Sequence, residues 1–317
     1  MRLLADLYKI HSPSGSENVM RNYILQWVGI NSPAAKVVVD DVGNILITKG
    51  RAQSYPCVVA HIDQVQRLHS VDFTPCYSKH SDTIFGFSPS NKDYEGLGAD
   101  DKNGVWIALE ALVRFDEIKV ALFVGEEIGC VGSRAVDMLW FNDCRWVIQP
   151  DRRGGSDLIT VASNVVLCSE KFIEDLQAER FGYYENHGIM TDVLELKENG
   201  LKVSCINISC GYYNPHADYE FTILTELLNA RDFVFWAVEN LTDVYPHEHI
   251  PYNYWGGYYT TKDSAYDDYF IEEYIFGLML DEPMLSDKEI LLRVKDNHPN
   301  LSKTKIKKMI KKTKTWL

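Results

Sequence analysis

Positive charge is scarce in this chain of 317 residues: 32 lysines and arginines face 45 aspartates and glutamates, a net charge of −13. A body this acidic does not suit nucleic acid or an anionic membrane surface. Long apolar runs are missing too, and none approaches the roughly 20 residues that cross a bilayer. The opening "MRLLADLYKI" carries Asp6 inside it and is followed by no small-residue cleavage pattern. It reads as an amphipathic helix rather than a secretory signal, so the expected compartment is the cytoplasm. Cysteine is limited to 7 residues, an odd number with no CxxC pair. Most lie in apolar runs such as "PCVVA" and "VSCINISC", where a thiol acts as a small buried hydrophobe in a reducing compartment. That argues against a cysteine nucleophile or a zinc–thiolate centre. A glycine-rich phosphate loop and a serine nucleophile elbow are also absent.

What is present is apolar bulk in alternating patterns. The chain is 46% hydrophobic and 12% aromatic, enough for a substantial core. "KVVVD" and "NILITK" flank a "DVGN" turn and predict a hairpin. "PCVVA", "KVALFVG", "CRWVIQ" and "KVSCINIS" are short, almost wholly apolar runs, the pattern of strands covered on both faces. Helical patterns lie between them: "NGVWIALEALVRF", "GSRAVDMLWF", "TDVLELKEN" and "YEFTILTELLNARDFVFWAVENL". Ser14 and Glu17 have capping-box spacing ahead of "NVMRNYILQWV". Strands alternating with helices imply an α/β layered fold around a largely parallel sheet. No internal repeat interrupts it.

The end of the chain differs. From Ser302 it reads "SKTKIKKMIKKTKTWL", with seven lysines and no acid. The expected organisation is a single catalytic domain over 1–285 and a basic helical appendage over 286–317. The tail reads either as a solvated helix docked on the acidic body or as a contact for nucleic acid or an acidic partner.

In an open α/β sheet, ligands gather beyond the carboxyl ends of the strands. His61 and Asp63 follow "CVVA"; Glu126 and Glu127 follow "VALFVG"; Asp151 follows "WVIQP"; His216 follows "SCINISC" past a short loop. Asp100 and Asp101, in "GLGADDKNG", stand just before a helix. Taken singly, each motif has an ordinary reading as a capping pair, a turn, a solvated helix start or a surface histidine. Taken together, they fall at one sheet edge. Carboxylates and imidazoles without cysteine make a hydrolytic metal site; imidazole suits zinc, and several carboxylates suit two ions, since one can bridge them. The adjacent acids Glu126 and Glu127 then make sense: one can ligate while the other stays free to take a proton.

These residues resemble a known group. "VVAHID", "GLGADDKNG", "VGEEIGCVGS", "QPD" and "NPHADYE" are similar to the ordered motifs of the co-catalytic di-zinc exopeptidases, and "HSPSGSE" to their N-terminal segment. That clan includes the bacterial leucyl, glutamyl and tetrahedral aminopeptidases and the lidded dipeptidases and deacylases. The resemblance runs from about Leu3 to the helix after His216 and does not reach the lysine-rich tail. It implies a three-layer αβα sandwich with a central mixed, mostly parallel sheet, the zinc-exopeptidase-like phosphorylase/hydrolase fold. It implies two divalent ions, zinc first, with manganese or cobalt as alternatives. His61 and Asp151 would hold one ion, Glu127 and His216 the other, and Asp100 would bridge. Asp63 would fix the tautomer of His61. Glu126 would be the general base, taking a proton from a metal-bridging water and passing it to the leaving amine. It also implies a cis peptide bond between Asp100 and Asp101.

Two departures place the chain within the clan. Lidded dipeptidases insert a domain between the positions of Asp151 and His216, whereas the strand and helix patterns in that interval here read as parts of the catalytic layer. Tetrahedral aminopeptidases insert one between the positions of His61 and Asp100, and the interval here has room for a hairpin only. The chain therefore reads as the branch without an inserted lid domain, a cytoplasmic aminopeptidase for short peptides. A dipeptidase or N-acyl amino-acid hydrolase with the same metals is the first alternative. A non-catalytic protein acting through its basic tail is the second, and single-zinc cyclase-type acyl transfer the third. A homo-oligomer stays open.

Support or substrate contacts are further assigned to Asp101, to Asp192 (equally a helix N-cap), and to Tyr212 and Tyr213, which could donate to an oxyanion or simply pack. Arg152 and Arg153 could read a substrate carboxylate or screen acids. His247, His249 and Trp255, in a tyrosine-rich stretch, read chiefly as loop and core.

Overall fold

The computed structural model describes residues 1–66, 68–249, 271, 275, 278–279, 285–297 and 301–314. The chain opens with α1 (Arg2–Lys9) and α2 (Asn18–Asn31), followed by the strands β1 (Lys36–Val39), β2 (Ile45–Lys49) and β3 (Tyr55–His61). Then come β4 (Thr74–Ser78), β5 (Thr83–Ser88), β6 (Asp93–Tyr94), the helix α3 (Ala99–Arg114), β7 (Ile118–Phe123) and the short α4 (Val131–Ala135). The strands β8 (Cys144–Arg152), β9 (Asp157–Ala162) and β10 (Val165–Val166) lead to α5 (Glu170–Leu176), β11 (Tyr184–Gly188), α6 (Asp192–Glu198) and β12 (Cys205–Ser209). The strands β13 (Tyr212–Tyr213) and β14 (Phe221–Ile223) precede α7 (Leu224–Asn240).

Nine strands form one sheet in the order β1-β2-β7-β3-β8-β12-β9-β10, with β11 beside β9. The central strands β7, β3, β8 and β12 run parallel, and antiparallel pairs on both sides make the sheet mixed. The β1–β2 hairpin forms across a turn in which Asp40 Oδ1 accepts the N–H groups of Val42, Gly43 and Asn44. The apolar runs are explained by burial on both faces. In β3, Val58 and Ala60 join the core under α1, α2, α3 and α7, while Cys57 and Val59 join the core under α6. In β7, Val120 and Leu122 take the first side, Ala121 and Phe123 the second. Period-two alternation thus disappears from the sequence because neither face is wet. The result is an α–β–α sandwich.

The interval after Asp151 contributes β9, β10 and β11 to this sheet rather than a separate domain. The interval before Asp100 holds the antiparallel pair β4–β5, which joins β14, β13 and β6 in a second, five-stranded sheet.

Three local expectations are corrected. "YEFT" is not helical: Phe221–Ile223 is a strand, because it pairs with β5. "GSRAVDMLWF" is broken at extended Val136 into α4 and a 3₁₀ turn, Met138–Phe141, capped by Asp137 accepting from Leu139 N–H. Ser14 and Glu17 form no capping box; Glu17 is itself the N-cap of α2, and the Ser14 hydroxyl is used elsewhere.

Close packing pins the start of α3. A Cβ on Gly104 would lie 2.5 Å from both carboxylate oxygens of Asp101 and 2.5 Å from Pro150 O. Gly104→Ala is therefore expected to destabilise by about 1–3 kcal/mol, through overpacking that outweighs alanine's better helix propensity; urea unfolding measures it.

The chain forms two compact units, Met1–Pro251 and Tyr252–Leu317. The boundary expected at 285/286 falls inside the second. There, helices Asp287–Asn297 and Lys303–Thr313 share an apolar cluster with Ile271, Ile275 and Met279. The lysine-rich helix buries Ile306, Met309, Ile310 and Thr313 and leaves most of its lysines exposed. Among the described residues no helix is long and apolar enough to cross a membrane.

Candidate metal centre

The parallel strands β7, β3 and β8 deliver their carboxyl ends to one edge. His61 is the last residue of β3; Glu126 and Glu127 follow β7; Asp151 is near the end of β8. Asp100 sits at the mouth of α3, where it and Asp101 depart from helical φ/ψ, and the peptide bond between them is cis. His216 comes from the β13–β14 connection, with φ +67.

Two groups of potential ligands result, His61–Asp100–Asp151 and Asp100–Glu127–His216, and Asp100 belongs to both. Its oxygens are divided between them. Oδ1 is 3.1 Å from His61 Nε2, and Oδ2 is 3.4 Å from His216 Nε2. His61 Nε2 also lies 3.5 Å from Asp151 Oδ1, and His216 Nε2 lies 3.1 Å from Glu127 Oε2. The His61 end is buried, whereas the His216 side chain is 37% exposed. The cleft is thus closed at one group and open at the other. His247 and His249 belong to neither group.

Asp63, fully buried, is the hub behind these groups. Its Oδ1 accepts from Glu126 N–H at 3.0 Å, and its Oδ2 accepts from Glu127 N–H at 3.2 Å and from the Ser14 hydroxyl at 2.8 Å. His61 Nδ1 lies 3.3 Å from Asp63 Oδ1, but the angle is too poor for a regular hydrogen bond. One carboxylate therefore ties the β3 end, the Glu126–Glu127 turn and the N-terminal segment together.

Asp101 turns away from the cleft: it accepts from His61 N–H at 3.3 Å and Gly104 N–H at 2.9 Å. Asp192 is buried at the start of α6, whose N-cap is Thr191, and accepts from Ser133 Oγ and Gln149 Nε2. Burial pushes its pKa up to about 6. Tyr213 donates to both oxygens of Glu226 on α7 and is committed there. Tyr212 is buried, and burial, then Asp100 and Asp151, raises its hydroxyl pKa. Arg152 pairs with Asp157 at 3.2 Å. Trp255 and its aromatic neighbours at 250–270 lie outside the described residues.

Electrostatically, the cleft calls for cations. Burial drives the Asp151 carboxyl well above its usual range, with Asp100 and Asp192 adding to the shift and His61 opposing it. Burial and Asp100 likewise raise Glu127. Glu126 is raised by burial, against His61 and with Asp151, Asp192 and Glu127. Among the potential metal ligands, the carboxyl of Asp100 alone is held low: burial opposes, but hydrogen bonds from His216 and His61 win. Glu127 Oε1 and His61 Nδ1 are buried without a hydrogen-bond partner. Acids packed this densely, with an acceptor left orphaned, fit divalent cations, and the donor set is oxygen and imidazole without thiolate.

Three residues with a hand in this site escaped the sequence reading. Glu220 accepts from Gly98 N–H at 2.5 Å and Asp100 N–H at 3.1 Å, clamping the loop that carries Asp100 to the loop that carries His216. Its position four residues after His216 was the available signal. Ser14 reads as a helix cap from spacing alone. Gln149 is a lone amide in an apolar strand, two residues before Asp151 and so on the same face, which is a visible signal.

No protein-family model matches the sequence, and no curated protein matches it. In three dimensions the chain is similar to the aminopeptidase PepT of Bacillus cereus, with 15% identity and a TM-score of 0.60 over 76% of this chain and 97% of that one. It is similar to a tripeptidase of Staphylococcus aureus, with 12% identity and a TM-score of 0.58 over 75% and 96%. It is also similar to the TET1 peptidase of Pyrococcus horikoshii, which can assemble into a tetrahedron or a large octahedral shell, with 14% identity and a TM-score of 0.52 over 75% and 98%. The chain has the fold of these peptidases.

Proposed function

We propose that the chain is a metal-dependent peptide hydrolase, an aminopeptidase that cleaves short peptides in the cytoplasm with a pair of divalent cations, zinc in the first place. The observation that carries this reading is the sharing of Asp100 between two three-residue groups, with Glu126, the neighbour of the ligand candidate Glu127, left over. His61 and Asp151 would hold one ion and Glu127 and His216 the other, with Asp100 common to both groups. When bound, such cations polarise a carbonyl oxygen and make water acidic near neutral pH. Glu126 takes the proton of the attacking water and gives it to the departing amine. Asp63 fixes the Glu126–Glu127 backbone and lies against the Nδ1 side of the His61 ring. Tyr212 is the remaining candidate donor to the substrate oxygen. The names of the similar folds, an aminopeptidase and a tripeptidase, support peptide as substrate, and the shell-forming TET1 peptidase supports a homo-oligomer.

A substrate panel tests the reading. Peptides with a free amino terminus should be hydrolysed, and N-acylated amino acids should not. A chelator should abolish turnover, and zinc, manganese or cobalt should restore it. Hydrolysis of the N-acyl compounds alone would make the chain a deacylase. No turnover of either set with two ions bound would reject catalysis.

A further inference from the structure

Gln149 lies behind Asp151 in a hydrogen-bond chain whose direction is forced throughout. The side chain is fully buried and all four of its bonding positions are filled. Oε1 accepts from Val193 N–H at 3.0 Å and from the Thr191 hydroxyl at 2.7 Å. Nε2 donates to Asp151 Oδ2 at 2.9 Å and to Asp192 Oδ2 at 3.1 Å. The Val193 backbone N–H can only donate, so the amide oxygen must face it and the amide cannot be flipped. Thr191 is oriented in turn, because its Oγ1 accepts from Asn207 Nδ2 at 3.0 Å and so spends its own proton on Gln149. Asn207 also brackets the backbone of Asp151: its Oδ1 accepts from Asp151 N–H at 3.1 Å and its Nδ2 donates to Asp151 O at 3.0 Å. The far end is anchored by Ser133, which donates to Asp192 Oδ1 at 2.5 Å.

The consequence falls on the ligand. Oδ2 is engaged by Gln149, and Oδ1 is the oxygen Asp151 turns toward the ligand group, 3.5 Å from His61 Nε2. We propose that Gln149 is a positioning residue that compels Asp151 to bind its metal through one oxygen, with Asp192 and Thr191 holding the amide in place. This rests on the metal-site reading above. A carboxylate limited to one oxygen leaves a coordination position for water or substrate, which a two-oxygen grip would occupy. It also assigns Asp192 a task outside the cleft: it fixes the amide from behind and touches no metal.

The test is zinc titration of the full-length, metal-free protein by calorimetry, which reads the sites without turnover. Gln149→Leu should weaken one of the two binding steps by about 10–100-fold, the usual effect of losing such a partner, and leave the other within about twofold. The weakened step must be the one lost in Asp151→Asn and not the one lost in His216→Ala. Thr191→Val, which keeps the Val193 N–H bond to the amide, should weaken the same step by a smaller factor and serves if Gln149→Leu fails to fold. Wild-type affinity at both steps, or equal weakening of both, overturns the proposal, the second result marking general damage. If the wild-type protein binds no zinc, the metal-site reading fails first and this proposal with it.

Discussion

Glu126→Gln is expected to lower kcat by about 10²–10⁴-fold, the range for removing a general base, with both metal ions retained. The separation of effects follows from the geometry. Glu126 belongs to neither group of potential ligands, whereas its neighbour Glu127 does. The amide is nearly isosteric, and the thiol of Cys130, 3.6 Å from Glu126 Oε1, still finds an oxygen to meet. The same variant carries a stability signature. Burial raises the Glu126 pKa above its ordinary 4.5, with Asp151, Asp192 and Glu127 adding to that and His61 opposing. A carboxyl whose folded-state pKa exceeds its unfolded value costs stability as pH rises above the unfolded value. A neutral amide removes that cost. The metal-free variant should therefore melt no lower than wild type at pH 8, and the difference should vanish toward pH 4. Undiminished hydrolysis by Glu126→Gln would reject the base. Loss of an ion would move Glu126 into the ligand set.

Asp100→Asn should abolish tight metal binding at both positions and take activity with it, because Asp100 is the one side chain common to the two groups. Glu127→Gln and His216→Ala should each cost one ion. Melting curves provide the measure. A ligand present at 1,000 times its Kd stabilises by about 4 kcal/mol, which for a unit of this size raises Tm by roughly 10 °C. Zinc should produce a rise of that order in wild type, growing with the logarithm of its concentration above the calorimetric Kd, and a chelator should reverse it. In Asp100→Asn the rise should be absent. Two ions held by this variant would remove the bridging role of Asp100 and leave the two groups as separate sites.

The candidate ligands were legible because of where they fall. His61, the Glu126–Glu127 pair and Asp151 each interrupt or end an apolar run, and polar groups that break such runs are conspicuous. The supports were not legible in the same way. Ser14 has the spacing of a helix cap, and nothing local says that its hydroxyl will reach Asp63, 49 residues on. Tyr213 precedes His216 closely enough to suggest a shared cleft, yet Glu226 on α7 claims its hydroxyl. "YEFT" continues a helical pattern, but β5 offers its backbone a partner and turns it into a strand.

The order of apolar runs and the acids and imidazoles at their ends are properties of the chain alone. They determined the layered fold and the oxygen-and-imidazole character of the candidate site, since solvation and ligand preference depend on residue type. Which oxygen of Asp151 faces His61, which loop Glu220 clamps and where each tyrosine hydroxyl goes were decided only in three dimensions. Hydrogen bonds are short-ranged and directional, and the partners of these groups lie from 13 to 122 residues away along the chain, so only the packed fold brings them within reach.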